Sequence, residues 1–506
     1  VNKQIRRLAL GLLVCYLVLF VQLNVLQVGR EQALNSDVRN QRQTERDLSR
    51  PRGPIVTADG VVVAQSVPSA PGDPIKYQRV YPQADLFSNI TGYYTFAFGA
   101  TQIERQDDDV LMGNTDQQKL RALPNLLGSS DNSGSVVLTL RADLQKVAAD
   151  ALGFREGSVV VMDPKTGAIL AMVSTPRFDA NKVAVHNTTD ARNYLDFLNT
   201  IPGKPLLANA YQDRYMPGSA FKVLTASIAL ENGVTTLDRD FPVGTSYLPP
   251  QTTDPIRNFA GESCGGTMIV AFYRSCNTTF AQLAIELGPQ RMVDGVKQWG
   301  VGEKLPIDLP GAVASHFGEV SDFTDSLPLL AIGGFGQGND TMVPLQMAMI
   351  ASTVANGGQM MKPYAIQATL DHNGGILTNT SPSLWKNPIQ TITAQQLTTL
   401  MIGVVNKGTG RSMQLANGIQ AAAKTGTAQL NGKGQPEKSN AWIIGFAPAD
   451  NPQYAVAVML KGGENDAISA GTGGKLAGPV AKTVLDYLFA QNPTPAPAPA
   501  PAPAAP

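Results

Sequence analysis

Met216-Pro217-Gly218-Ser219-Ala220-Phe221-Lys222 runs directly into the apolar stretch Val223-Leu224-Thr225-Ala226. Pro-Gly breaks whatever precedes it and the apolar stretch suits a helix, which places Ser219 in the first helical turn. Lys222 stands three residues on, on the same helix face. A serine hydroxyl is a weak nucleophile and needs an adjacent base. A lysine can fill that role if burial and a second cation lower its pKa. Alone, S-x-x-K carries little weight, since chance supplies several in a chain of 506 residues. Two further motifs follow in order: Ser275-Cys276-Asn277, then Lys424-Thr425-Gly426-Thr427. Ala421–Ala423 before the last motif and Gln429-Leu430 after it suit a strand, in which Gly426 would let a ligand approach the backbone closely. For the set to be without chemistry, a capped helix, a polar loop and an ordinary strand would have to coincide.

Composition removes several alternatives. The chain has 40 basic and 40 acidic side chains, a formal net charge of zero and 16% charged residues. That argues against nucleic-acid binding through phosphate neutralisation. A hydrophobic content of 43% is ample for a core, which a wholly disordered chain would lack. Three Cys cannot frame a chain of this length with disulfides. Three His, with no H-E-x-x-H and no paired C-x-x-C, leave little for a zinc or other metal site.

The N-terminus predicts placement. Lys3, Arg6 and Arg7 precede an uncharged stretch from Leu8 to Val28, which at ~1.5 Å per residue spans about 31 Å, a bilayer's hydrocarbon thickness. An uncleaved anchor at 8–28 after a cytoplasmic stub at 1–7 is the expectation; a cleaved signal peptide is the competing reading, though no A-x-A-like site follows Val28. The basic flank stays in the cytoplasm and sends the rest outside. Residues 29–135 read as a polar, irregular pedestal. Within it, Ile55-Val56, an Asp59-Gly60 turn and Val61–Ala64 predict a hairpin. From 136 to 492 helices and strands alternate irregularly, which indicates a mixed α/β (α+β) domain. It opens with the strand Val136–Leu140 and the amphipathic helix Arg141–Leu152. A hairpin follows, Ser158–Met162 and Ala168–Ser174 about a turn at Asp163–Gly167. Residues 493–506 are a Pro-Ala repeat, expected to be a solvated polyproline-II tail.

S-x-x-K, S-x-N and K-T-G in this order are the motif set of serine β-lactamases and penicillin-binding proteins. The chain resembles the class B penicillin-binding proteins, bitopic D,D-transpeptidases of the bacterial cell wall, and among them the actinobacterial penicillin-binding protein A group. Arg52-Gly53-Pro54-Ile55 resembles the R-G-x-I element of that family's β-rich pedestal. Asp163–Met172 resembles the hairpin that opens its penicillin-binding domain, and Gly336-Gln337-Gly338 with Thr341 and Pro344–Ala348 a stretch near the back of its active site. Departures are Ala58-Asp59-Gly60 where D-R-N-G is frequent, Ala220 where Thr is common, and Cys276 in the variable position of S-x-N.

The resemblance implies that Ser219 attacks the carbonyl between two D-alanines of a peptidoglycan pentapeptide stem to form an acyl-enzyme, with no cofactor. Lys222 would be its base and Ser275 a proton relay, with Asn277 orienting Lys222 and the substrate amide. Lys424 would supply positive potential, Thr425 and Thr427 would bind the terminal carboxylate beside Gly426, and the N–H groups of Ser219 and Thr427 would form the oxyanion hole. The identity of the base is disputed in such sites. β-Lactams would then be covalent inhibitors, and polymerisation would come from a partner, a membrane glycosyltransferase of the division or rod-shape type. The implied setting is cell-wall synthesis in division. A D,D-carboxypeptidase, or a non-catalytic β-lactam-binding scaffold or sensor, remains the alternative. No E-x-x-L-N, the deacylating element of class A β-lactamases, lies between Asn277 and Lys424. Finally, Cys264 and Cys276 lie after the anchor, in the compartment where disulfides persist, with Gly265-Gly266 to turn the chain back. They are expected to pair unless they are two buried thiols or a helix over Thr267–Arg274 holds them apart.

Overall fold

The computed structural model describes residues 2–26, 50–95, 97–122, 132–431, 438–462 and 471–491. The Pro-Ala tail, the outer end of the expected span at 27–28 and the first part of the expected pedestal, 29–49, lie outside the described residues. An N-terminal helix runs Asn2–Asn24. Its stretch Lys3–Asn24 has a mean hydropathy of 1.8 and packs against nothing else, long and apolar enough to cross a membrane. The helix starts six residues before the expected span because Lys3, Arg6 and Arg7 are good helix formers. Hydropathy, not helicity, ends at Arg7.

The predicted N-terminal hairpin pairs Ile55–Val56 with Val62–Pro68. Its turn does more than reverse the chain. The Asp59 carboxylate accepts from Ala142 N at 2.9 and 3.1 Å, capping the helix Ala142–Leu152, where the orphan N–H groups favour a negative charge. Ile55–Val56 also pairs in parallel with Ser135–Leu138, which pairs antiparallel with Ile366–Leu370. The result is a six-stranded sheet in the order Ile376–Asn379, Ile366–Leu370, Ser135–Leu138, Ile55–Val56, Val62–Pro68, Tyr77–Val80. The sheet straddles position 135, drawing strands from both sides of it. Arg52-Gly53 leads into its interior strand Ile55–Val56. A Cβ on Gly53 would lie 1.6 Å from the Gly134 carbonyl oxygen. The Arg52 guanidinium is buried against Glu104 and Asp108.

A second, five-stranded antiparallel sheet carries the chemistry, in the order Ala422–Gln429, Ser439–Ala447, Tyr454–Leu460, Gly157–Met162, Ile169–Thr175. Both faces are covered, so its inner strands read as near-continuous apolar runs rather than alternating ones, while the edge strand Ala422–Gln429 carries Lys424, Thr425 and Thr427. Alternate residues serve different cores. Val159, Val161 and Ile443 join Leu144, Leu152, Val484 and Leu488 of the helices Ala142–Leu152 and Gly473–Gln491. Val160, Met162 and Ile444 join the other core with Phe221, Leu224 and Ile350. Each such aliphatic side chain contributes about 1.5–3 kcal/mol on burial. Ala422–Gln429 is a sheet edge, with one side of its backbone facing the turn that carries Ser219.

Candidate active site

Ser219 lies on a 3-10 turn, Gly218–Phe221, that continues into the helix Lys222–Glu231. In a 3-10 turn residues i and i+3 eclipse, so Ser219 and Lys222 stack more directly than in the α-helical turn expected from sequence. Two glycines let the turn seat. Gly218, at φ +53°, donates its N–H to the Gly336 carbonyl at 2.9 Å, and a Cβ there would lie 2.5 Å from the Thr427 carbonyl oxygen. A Cβ on Gly426 would meet Pro217 O at 2.5 Å and Ala220 Cβ at 3.0 Å. The close approach at Gly426 is thus made by the serine turn. Buried Gly426 lets the strand seat against the turn that carries Ser219.

Lys222 is fully buried. Its Nζ donates to the Ser275 carbonyl at 2.7 Å, to Asn277 Oδ1 at 2.8 Å and to Ser275 Oγ at 3.2 Å. Lys424, also fully buried, reaches the same hydroxyl from the other side, Nζ to Ser275 Oγ 3.0 Å, and donates to the Thr425 carbonyl at 2.9 Å. Ser275 is held at φ 64°, ψ 43° as the left-handed C-cap of the helix Met268–Arg274. That cap turns its hydroxyl and its carbonyl toward the lysines. Aromatic rings complete the walls: Lys222 Nζ is 5.3 Å from the Phe280 centroid and 5.8 Å from that of Phe335, and Lys424 Nζ is 5.8 Å from that of Phe272. Burial, and then the charge of Lys424, hold the Lys222 ammonium well below the usual lysine range. Burial brings Lys424 to about 7. Among the described residues no carboxylate bonds to either lysine, and Ser219 Oγ, half-buried at the mouth, makes no hydrogen bond.

The K-T-G strand presents its own groups. The Thr427 carbonyl lies on the Gly218 side, and in an extended strand the N–H of the same residue points the same way. The N–H of Thr427 therefore faces the serine turn. Thr427 Oγ1 accepts from Gly473 N at 3.2 Å. Thr425 is 5% exposed and its hydroxyl is hydrogen-bonded to that of Thr409. Thr409 was not among the sequence-derived candidates; it follows the helix Thr391–Asn406 in an unremarkable Lys-Gly-Thr-Gly turn.

Cys264 and Cys276 are joined in a disulfide, with Cα atoms 5.4 Å apart. A helix does occupy Met268–Arg274, yet it does not separate them. Strand Cys264–Thr267 and that helix each cover about 10 Å and run in opposed directions, so the ends return to one place. The bridge sits between Ser275 and Asn277, buried beside Ala271.

The comparisons with known proteins agree with this geometry. The penicillin binding protein transpeptidase domain matches residues 157–486, and the penicillin binding protein A dimerisation domain matches residues 52–137. The peptidoglycan D,D-transpeptidase PbpA of Mycolicibacterium smegmatis is 34% identical over 495 residues, covering 96% of this chain and 98% of that protein. Its counterpart in Mycobacterium tuberculosis is 33% identical over the same span. The structure of penicillin-binding protein A from M. tuberculosis as a ceftriaxone acyl-enzyme superposes with a TM-score of 0.81 at 30% identity, covering 87% of this chain and 99% of that one. Its penicillin G acyl-enzyme gives 0.80 at 30% identity, covering 87% and 100%. This chain belongs to the penicillin-binding protein transpeptidase family.

Proposed function

We propose that the chain is a serine D,D-transpeptidase of peptidoglycan, acylated and inhibited by β-lactams. The observation that carries the reading is a stacked Ser219 and Lys222 beside a second buried lysine, with Ser275 Oγ between the two ammonium groups. Ser219 Oγ attacks the carbonyl of the penultimate D-alanine. Its proton passes to neutral Lys222, and Ser275 carries a proton on to the departing D-alanine amine. The tetrahedral oxyanion is held by the N–H groups of Ser219 and Thr427, each such donor being worth about 3–4 kcal/mol in the transition state. The amine of a neighbouring stem then takes the acyl group and restores Ser219. The Thr409–Thr425 pair supports carboxylate binding: Thr409 can donate to Thr425 Oγ1, which leaves the Thr425 proton for the substrate, next to Thr427. No carboxylate bonds to Ser219, Lys222, Ser275 or Lys424 among the described residues, so nothing there is arranged to activate a deacylating water, and a penicilloyl-enzyme should be long-lived.

Among the described residues the N-terminal helix is long and apolar enough to cross a membrane, which fits a single-pass membrane protein. In the same proposal, Lys3, Arg6 and Arg7 keep the N-terminus cytoplasmic, residues from 29 onward stand outside as pedestal and catalytic domain, and a membrane glycosyltransferase supplies glycan strands at the septum. The test is labelling of the full-length protein by a fluorescent penicillin, followed by incubation with pentapeptide-bearing substrate. Ser219→Ala should lose the label and the cross-linked product together. Labelling retained in that variant would refute the nucleophile, and D-alanine release without cross-linking would make the protein a carboxypeptidase.

A further inference from the structure

The helix Asn277–Gln298 starts at the S-x-N motif without a side-chain cap of its own. The residue in the N-cap position is Cys276, and its sulfur is held by Cys264. A helix start leaves N–H groups that need acceptors, and here the acceptor comes from a distant loop. Asn258 is 6% exposed. Its Oδ1 accepts from Thr278 N at 3.1 Å and from Thr278 Oγ1 at 3.3 Å, while its Nδ2 donates to the Gly244 carbonyl at 2.9 Å. Its backbone N–H donates to the Thr245 carbonyl at 3.2 Å. The side-chain amide is therefore committed at both ends, to the strand Asp240–Gly244 and to the second residue of the S-x-N helix.

The preceding residue completes the arrangement. The Arg257 carbonyl accepts from Asn277 Nδ2 at 3.1 Å. An asparagine amide has one acceptor end and one donor end, so fixing Nδ2 on that carbonyl aims Oδ1 at Lys222 Nζ, 2.8 Å away. Turned over, the amide would set N–H groups against the lysine and an oxygen against a carbonyl oxygen. Both contacts would be repulsive.

Resting on the reading of Ser219 as nucleophile and Lys222 as base, we propose that Asn258 is a positioning residue for the reaction. By capping Thr278 it holds the start of the S-x-N helix against the Arg257 carbonyl and so keeps Asn277 Oδ1 on Lys222. Asn258 touches none of the reacting groups, and its effect runs through Asn277. Lys222 is faced by Lys424 across Ser275 Oγ, by the rings of Phe280 and Phe335, and by the Ser275 carbonyl. Asn277 Oδ1 is one of two carbonyl acceptors that favour its ammonium form. Losing it lowers the pKa of Lys222 further and lets the side chain wander from Ser219.

The test is the second-order rate constant of acylation by penicillin G, measured on full-length protein in detergent between about pH 5.5 and 9.5. Asn258→Ala should be slower by about tenfold or more at the plateau, as misplacement of a catalytic group by a fraction of an ångström requires, and its acid limb should move to lower pH. Asn258→Asp keeps the acceptor for Thr278, and burial favours its protonated form, whose O–H replaces the Nδ2 donor to the Gly244 carbonyl. Its rate should therefore stay within about threefold of wild type, with the acid limb near its wild-type position. A merely structural asparagine would change melting temperature without moving the acid limb. Wild-type rate and limb in Asn258→Ala overturn the proposal, and so does a loss in Asn258→Asp as large as in Asn258→Ala. Should Asn258→Ala not fold, Asn258→Asp decides alone: a rate within the stated range supports the role, and a larger loss overturns it. Ser219→Ala, assayed alongside, must not acylate. If it does, the reading of the nucleophile fails whatever Asn258 shows.

Discussion

In the pedestal, Arg52 and Arg79 are each 4% exposed and close on Glu104 between them; in the active site, Lys222 and Lys424 are wholly buried and close on a serine hydroxyl. Both places take two cations out of water. In the pedestal, burial works against the charge on Arg52, but Glu104 and Asp108 outweigh it and raise its pKa. Glu104 is likewise held below the usual carboxylate range by Arg79 and Arg52 against its own burial. Tyr81 adds its hydroxyl to Glu104 at 3.0 Å. In the active site no counter-charge answers the burial, and both lysines fall. One cluster is balanced in charge and therefore structural. The other is left unsatisfied, and the unspent proton affinity is what makes a base.

The largest break in that comparison is Lys222→Met. Acylation by a fluorescent penicillin should fall by about 10⁴-fold, as loss of a base that acts as a unit with its nucleophile does. The fold should hold with a modest loss, since Met fills the volume of a lysine already neutral in the site but leaves the Ser275 carbonyl and Asn277 Oδ1 without their donor. A variant that unfolds would contradict the account of the lysine pair. Glu104→Ala should do the reverse. Leaving two buried guanidinium groups without their carboxylate costs about 3–5 kcal/mol, visible in urea unfolding of the full-length protein, while the acylation rate per folded molecule stays at the wild-type value.

Opening the Cys264–Cys276 bridge is a smaller change, about 3 kcal/mol in the chain-entropy picture of so short a loop. Alkylation of the unreduced protein followed by mass spectrometry should find neither cysteine modified. Carbamidomethyl groups on both would remove the bridge from the account. The effect spread most thinly is on pH dependence, no more than about 1.4 kcal/mol per pH unit. Lys424 titrates near 7 in the folded protein and near ~10.4 unfolded. Between those values the unfolded chain binds the extra proton, so stability rises with pH across the window. Lys424→Met should flatten that slope in thermal melts taken between about pH 7 and 10. In wild type, acylation should rise with pH through an apparent pKa that belongs to the lysine pair. A flat profile with the fold intact would contradict the assignment of Lys222 as base.

Local pattern carried much of this molecule. Ile55-Val56 and Val61–Ala64 about a D-G turn, the hairpin about Asp163–Gly167 and the K-T-G strand are all written in neighbouring residues, and the strands start within about a residue of those positions. What was hidden depends on partners far along the chain. Nothing near Asn258 indicates that it caps Thr278, and nothing near Thr409 indicates that it meets Thr425. Arg52 could be recognised as a marker, but its partners Glu104 and Asp108 stand on the short helices Gln102–Gln106 and Asp108–Leu111, in a stretch that read as irregular. The reach of the first sheet was equally invisible. Ser135–Leu138 pairs with Ile366–Leu370, some 230 residues later, a register that no periodicity encodes.

That shared sheet has a mechanical consequence. The strand at Ile55–Val56, which stands nearest the anchor in sequence, is one rung from Ser135–Leu138 and two from Ile366–Leu370, and the Asp308 carboxylate grips the N–H groups of Ala365 and Ile366 at 2.7 and 2.9 Å. A tug on residue 52 loads first the few hydrogen bonds of the Ile55–Val56 rungs, in shear. A pull that reaches residue 52 therefore passes directly into strands on both sides of position 135, one of them from the part of the chain that follows Ser219.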